Sequence, residues 1–205
     1  VLVCAARGHA AERSWDLGVI GGVNRAGISG QSIPETDLET RTGFLFGATV
    51  GLQLREALTL SLEPSYVVRG CRVVTEIDDR NDIEEETQVA FDYLEFPLLI
   101  RARGSGQTRP YAVGGVGVAF LLDATGELPG GGTVDLKDDL HTNELLAYFG
   151  GGLEAEWGSQ LVYFEARYTQ GLINAGRGNP TSAASLPPEF KNTGLQFLAG
   201  WKVWP

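Results

Sequence analysis

Residues 91–103 read FDYLEFPLLIRAR, and the alternation within them decides the fold. From Asp92 onward one face carries Leu94, Phe96, Leu98, Ile100 and Ala102, while the other carries Tyr93, Glu95, Pro97, Leu99, Arg101 and Arg103. Side chains two apart share a face of a strand, so this is a β-strand with one apolar surface and one surface holding a carboxylate and two guanidiniums. A soluble sheet alternates in the same way. What discriminates is recurrence, because similar segments repeat along the chain between alternately short and long connections.

Segments of the same kind occupy residues 15–24, 43–54, 58–70, 143–157, 161–172 and 192–204. In the first, Trp15, Leu17, Val19 and Val23 share a face; in the last, Leu195, Phe197, Ala199, Trp201 and Val203 do. Residues 110–122 form a further Gly-rich strand whose facing the sequence leaves undecided. Residues 55–57, 104–108 and 158–160 are tight turns by composition, whereas 25–42, 71–88, 123–142 and 174–191 read as long loops. The expectation is all-β: an eight-stranded antiparallel up-and-down transmembrane β-barrel over residues 15–205, with its long loops at one end and tight turns at the other. Closure is required in lipid, where an unpaired strand edge has no water to satisfy it.

The aromatic residues give a second line of evidence. Trp15, Trp157, Trp201 and Trp204 all fall at the tight-turn rim, and Tyr66, Tyr93 and Tyr168 are assigned to the opposite one. Rings with an apolar body and a polar tip settle where hydrocarbon meets water, so these seven residues are read as an aromatic girdle. The longest apolar run, residues 111–122, is 12 long, too short for a membrane-crossing helix but ample for a strand of about 9–11 residues. A formal charge of −10 with no basic stripe argues against nucleic acid as a partner. Residues 1–14 read as a separate N-terminal segment, either a signal-peptide remnant or a periplasmic tail.

The chain resembles the PorT-like outer-membrane β-barrel family of small bacterial barrels. The resemblance rests on LGVIGGVN, GFLFGATVGLQL with LTLSLEPSYVVRG, YLEFPLLIRAR running into RPYAVGGVGVAFLL, YFGGGLEAEW, VYFEARYTQGLIN and NTGLQFLAGWKVW, in that order. It covers nearly everything from Trp15 to Trp204. It departs at the end, where Pro205 follows Trp204 and such barrels usually finish on an aromatic. It implies residence in the outer membrane of a Gram-negative bacterium, with lipid and lipopolysaccharide as surroundings and a protein partner in a membrane complex.

Eight charged residues fall on strand faces assigned to the lumen: Glu63, Arg69, Glu95, Arg101, Glu154, Glu165, Arg167 and Lys202. An eight-stranded barrel is just wide enough for side chains to fill it, so a buried ion-pair network is the expectation, with a narrow polar pore as the alternative. The acidic residues Glu76, Asp78, Asp79, Asp82, Glu84, Glu85 and Glu86 lie in the second long loop. They lack EF-hand spacing and read as a solvated loop, or as a weak cation or partner site that Asp135, Asp138, Asp139 and Glu144 would join. Only His9 and His141 offer an imidazole, and no lipid-facing Ser or His has a carboxylate to orient it, so no catalytic residue, metal or cofactor is assigned. A lipid-A-modifying enzyme and a soluble lipocalin-like binder are the remaining alternatives. Cys4 and Cys71 are read as two free or buried thiols, with a disulfide as the rival.

Overall fold

The computed structural model describes residues 14–30, 36–78, 83–128, 132–137, 140–158, 160–176 and 190–203. Within them lie ten β-strands: β1 (Trp15–Gly30), β2 (Thr36–Arg55), β3 (Leu58–Leu62), β4 (Ser65–Asp78), β5 (Ile83–Arg103), β6 (Thr108–Leu128), β7 (Gly132–Asp135), β8 (Asn143–Trp157), β9 (Gln160–Gly171) and β10 (Phe190–Val203). All their pairings are antiparallel, and they run in a ring: β1 is bonded to β2 on one side and to β10 on the other, from Leu17↔Val203 to Gly30↔Phe190.

The ring has eight positions, because two of them are shared. β3 and β4 follow one another along the same place, each paired with β2 on one side and β5 on the other. The interruption falls at Glu63-Pro64, where proline has no N–H to give the ladder. The wall stays bonded across the break through Ala48 N–H to Pro64 O and Glu63 N–H to Pro97 O, both 3.0 Å. Likewise β6 pairs with β8 over Thr108–Phe120 and with β7 over Thr125–Leu128, so β7 extends the position that β8 occupies below it.

Alternation along each strand sorts the faces as the period-two pattern requires. Leu98 and Ile100 are half exposed on the outside, as are Val19, Phe46, Phe149, Phe164 and Phe197, while Glu95, Leu99 and Arg101 are buried inside. On β5 the apolar outer stripe runs from Leu94 to Ala102, about 30 Å of strand at ~3.3 Å per residue. Tilted by about 40°, it spans about 23 Å of height, close to the ~25 Å apolar band of outer-membrane barrels. β6, whose facing the sequence left undecided, turns Val116, Val118, Phe120 and Leu122 outward and Tyr111, Val113, Ala119 and Leu121 inward.

Three of the expected long loops are largely wall. β1 continues to Gly30 and β2 begins at Thr36; β4 runs to Asp78 and β5 starts at Ile83; β6 reaches Leu128. Residues 25–42, 71–88 and 123–142 read as loops because they lack an apolar stripe. Beyond the apolar belt no such stripe is needed, and the backbone ladder continues without it. The acidic stretch is therefore corrected: Glu76, Asp78, Glu84, Glu85 and Glu86 lie on paired strands, with Glu76 opposite Glu84, while Asp79 and Asp82 lie outside the described residues. Cys4, His9, Asp138, Asp139 and Trp204 also lie outside them, as do residues 1–13 of the N-terminal segment.

Candidate functional site: the barrel lumen

The interior of the ring is the core of the molecule, and it has two layers. The layer nearer the tight turns is polar. Arg69 donates from Nε and Nη2 to Glu95 Oε1 at 2.8 and 2.6 Å, and the Tyr148 hydroxyl donates to Glu95 Oε2 at 2.9 Å. Below this pair Arg167 donates to Glu165 Oε1 (2.6 Å) and to Glu63 Oε2 (2.7 Å), and Tyr111 donates to Glu165 Oε2 (2.9 Å). Arg101 reaches Glu165 at 3.2 Å and Glu63 at 3.7 Å, with its guanidinium carbon 4.3 Å from the ring centres of both Tyr111 and Tyr163. Arg101 meets two rings that stand edge-on to one another at 79° while its N–H groups reach carboxylates, which a Lys at this place cannot do. Lys202 Nζ instead meets Asp16 Oδ1 at 3.0 Å.

At the turn-end mouth Arg109 Nε and Arg103 Nη1 approach Glu154 at 3.1 and 3.6 Å, and Arg109 also bonds Glu156. Toward the other end Tyr93 and Asn192 both donate to Glu144, the latter at 2.6 Å. The six carboxylates of Asp16, Glu63, Glu95, Glu144, Glu154 and Glu165 thus face the six cations Arg69, Arg101, Arg103, Arg109, Arg167 and Lys202, a formal sum of zero. A buried charge is tolerated only when paired and hydrogen-bonded, and matching in number is the first condition for that.

Room for these side chains comes from glycines at the paired position of the neighbouring strand, Gly200 opposite Tyr163 and Gly51 opposite Asp16. A Cβ on Gly200 would lie 2.1 Å from the Tyr163 ring, and one on Gly51 2.4 Å from Asp16 Oδ1. Long side chains such as Glu95, Tyr111, Tyr148 and Arg167 reach into the lumen from β5, β6, β8 and β9. β1, β2 and β10 contribute glycines (Gly18, Gly22, Gly47, Gly51 and Gly200) among their inward residues.

All eight of the charged residues assigned to the lumen are found there, 3% exposed or less. Asp16, Arg103, Arg109 and Glu144 complete the twelve. Asp16 stands on the opposite parity from Trp15 and Leu17, a signal present in the sequence. Glu144, assigned to a loop cation site, is instead a lumen acceptor. Tyr93 requires a correction: it is not a rim residue but is 1% exposed inside the barrel, because it shares the parity of Glu95 and not of Leu94. The other aromatics lie outside. Trp15, Trp157 and Trp201 are 53%, 80% and 48% exposed, at or near strand ends on the tight-turn side. Tyr66 packs on Phe46 with ring centres 5.4 Å apart, and Tyr168 on Phe149 at 5.0 Å.

The second layer, beyond Tyr93, is apolar. Cys71, Val89, Phe91, Leu121, Ala124, Leu136, Leu140, Leu146, Ala175 and Phe190 are all 0–3% exposed and join one apolar cluster, with Phe91 and Phe190 stacked at 6.4 Å. Cys71 is a free, buried thiol here.

A family model described as outer membrane protein beta-barrel domain matches residues 6–176. Among solved structures, the outer membrane protein OprG of Pseudomonas aeruginosa is 13% identical over 94% of this chain and 97% of its own, with a TM-score of 0.54. Neisserial surface protein A is 12% identical over 91% and 96%, TM-score 0.47. The outer membrane protease OmpT of Escherichia coli is 10% identical over 94% and 97%, TM-score 0.49. Comparison with curated proteins gives no match. At these identities the likeness to OprG speaks for the fold alone.

Proposed function

The chain belongs to the outer membrane protein β-barrel domain family, and from that premise we propose that it is a non-enzymatic structural or partner-docking subunit of the PorT-like kind. It resides in the bacterial outer membrane, so lipid and lipopolysaccharide surround its belt. The observation that carries the structural reading is the neutral lumen network, in which six carboxylates and six cations cross-link seven wall strands. A conducting pore keeps a polar path open; here the same groups are spent on one another and on Tyr93, Tyr111 and Tyr148. Glu144, one of the two carboxylates that the sequence sets beside His141, is engaged by Tyr93 and Asn192, which supports the non-enzymatic reading.

Trp15, Trp157 and Trp201 on one side and Tyr66 and Tyr168 on the other serve as the girdle. The partner-facing surface is the wall above the belt, where the acid-rich β4–β5 hairpin favours a cationic partner over a weakly held ion. Purified protein in planar bilayers is expected to give no steady conductance, and gentle detergent extraction from native membranes to recover a partner protein. A reproducible single-channel step would replace the structural reading with the pore.

A further inference from the structure

The outward face of β1, β10, β9 and β8 carries a groove. Gly21 pairs with Ala199 across β1 and β10, Ala166 pairs with Gly151 across β9 and β8, and these four small residues lie along a hollow of about 550 Å³. Its rims are Val23, Phe197, Phe164 and Leu153, each about half exposed or more. Clefts of ~300–1,000 Å³ with apolar and aromatic walls are the usual size for holding a small ligand. The hollow is not a by-product of wall packing. A Cβ on Gly21 would meet only Leu45 O, at 3.8 Å, whereas one on Gly22 would lie 2.0 Å from Phe197 O. Residue 21 has room for a side chain and carries none.

The groove ends on β1 beneath a charge. Arg25 is exposed on the same face as Val23, ~7 Å farther from the tight turns. Its Nε donates to a neutral group, Thr40 Oγ1, at 2.9 Å, and among the described residues it forms no ion pair. Lys191 stands beyond it on β10, opposite Ser29. The chain has a formal charge of −10 and every lumen cation has a carboxylate partner, so a guanidinium left uncommitted at the belt edge is an anion site.

We propose that this face holds one lipid in a fixed place: an acyl chain lies in the groove and the lipid's phosphate is bound by Arg25. The end away from the tight turns faces the outer leaflet, whose phosphorylated glycolipid carries its phosphates at this height. Guanidinium N–H groups bind phosphate oxygens by short, charge-assisted hydrogen bonds. A second copy of the barrel is the rival occupant of an apolar face. Turned about an axis along the membrane normal, it would bring its own Arg25 to the same height, like charge against like. The proposal rests on the outer-membrane setting and not on the structural reading of the lumen.

Native mass spectrometry of the full chain in mild detergent, with diphosphorylated lipid A added, is the test. The parent is expected to retain a single lipid A per barrel, and its dephosphorylated analogue about tenfold less. Arg25→Gln should hold lipid A no better than the parent holds that analogue. Gly21→Leu/Ala199→Leu, with both positions on the outward face, should lose both lipids. Each barrel is checked for resistance to SDS without heating. A parent that retains no lipid A overturns the proposal, as does equal retention by the parent and a folded Gly21→Leu/Ala199→Leu barrel. A parent dimer that the filled groove abolishes would also overturn it and assign the face to a second copy. Should the double variant fail to fold, the exposed Arg25→Gln decides, and retention equal to the parent's overturns the site.

Discussion

Arg69 and Glu95 show what a single residue does in this lumen. Two donors of one guanidinium converge on one carboxylate oxygen while Tyr148 takes the other, and both charges are 1% exposed. Removing one partner leaves the other charge buried and alone, at a cost of about 3–5 kcal/mol. Glu95→Gln is therefore expected to lower unfolding stability in urea by that amount, whereas Arg69→Met combined with Glu95→Leu should recover most of it. A double variant no better than the single one would mean that the pair is not a closed unit. Residue faces were also the most legible feature of the sequence. Parity from Leu94 to Ala102 placed Glu95 and Arg101 inside without further information, and the same parity places Tyr93 with them. Reading Tyr93 by its height along the strand, and not by its side, is what misassigned it.

Elements carry a different kind of information. Where a strand crosses the belt, hydrocarbon on one side imposes an apolar stripe, and β5 announces itself. Leu98→Arg, at the middle of that stripe, is expected to cost about 2–4 kcal/mol and Arg at the outer-rim position Ala90 about 0–1, measured by reversible urea unfolding in phospholipid vesicles. Similar losses at both positions would deny the belt its placement. β6 was harder to read because Gly114, Gly115 and Gly117 put small residues on both faces, leaving little contrast between them. The upper reaches of β4 and β5 were illegible for a physical reason: in water, backbone pairing alone holds a strand, and pairing leaves no periodic trace in residue type.

At the scale of the whole molecule, the alternation of short and long connections fixed the strand count and direction, and the ring of ladders gives eight positions with the tight turns together at one end. In an outer-membrane barrel that end faces the periplasm. A peptide tag inserted within residues 105–107, the exposed β5–β6 turn, is expected to escape antibody on intact cells and to be detected once the outer membrane is permeabilised. Detection on intact cells would invert the orientation. The burial of Leu136 and Leu140 was not foreseeable at this scale, since both stand in a polar stretch with no period to mark them.

The height of the wall has one more consequence, for immune recognition. Between Gln88 and Asp92 the main chain of β5 is tied to β4 and β6 at once, so the surface shown to the outside is a rigid collar assembled from distant parts of the chain. Serum raised against a linear peptide from this span would meet a backbone already engaged on both sides. Antibodies that grip the living cell there would have to read several strands together.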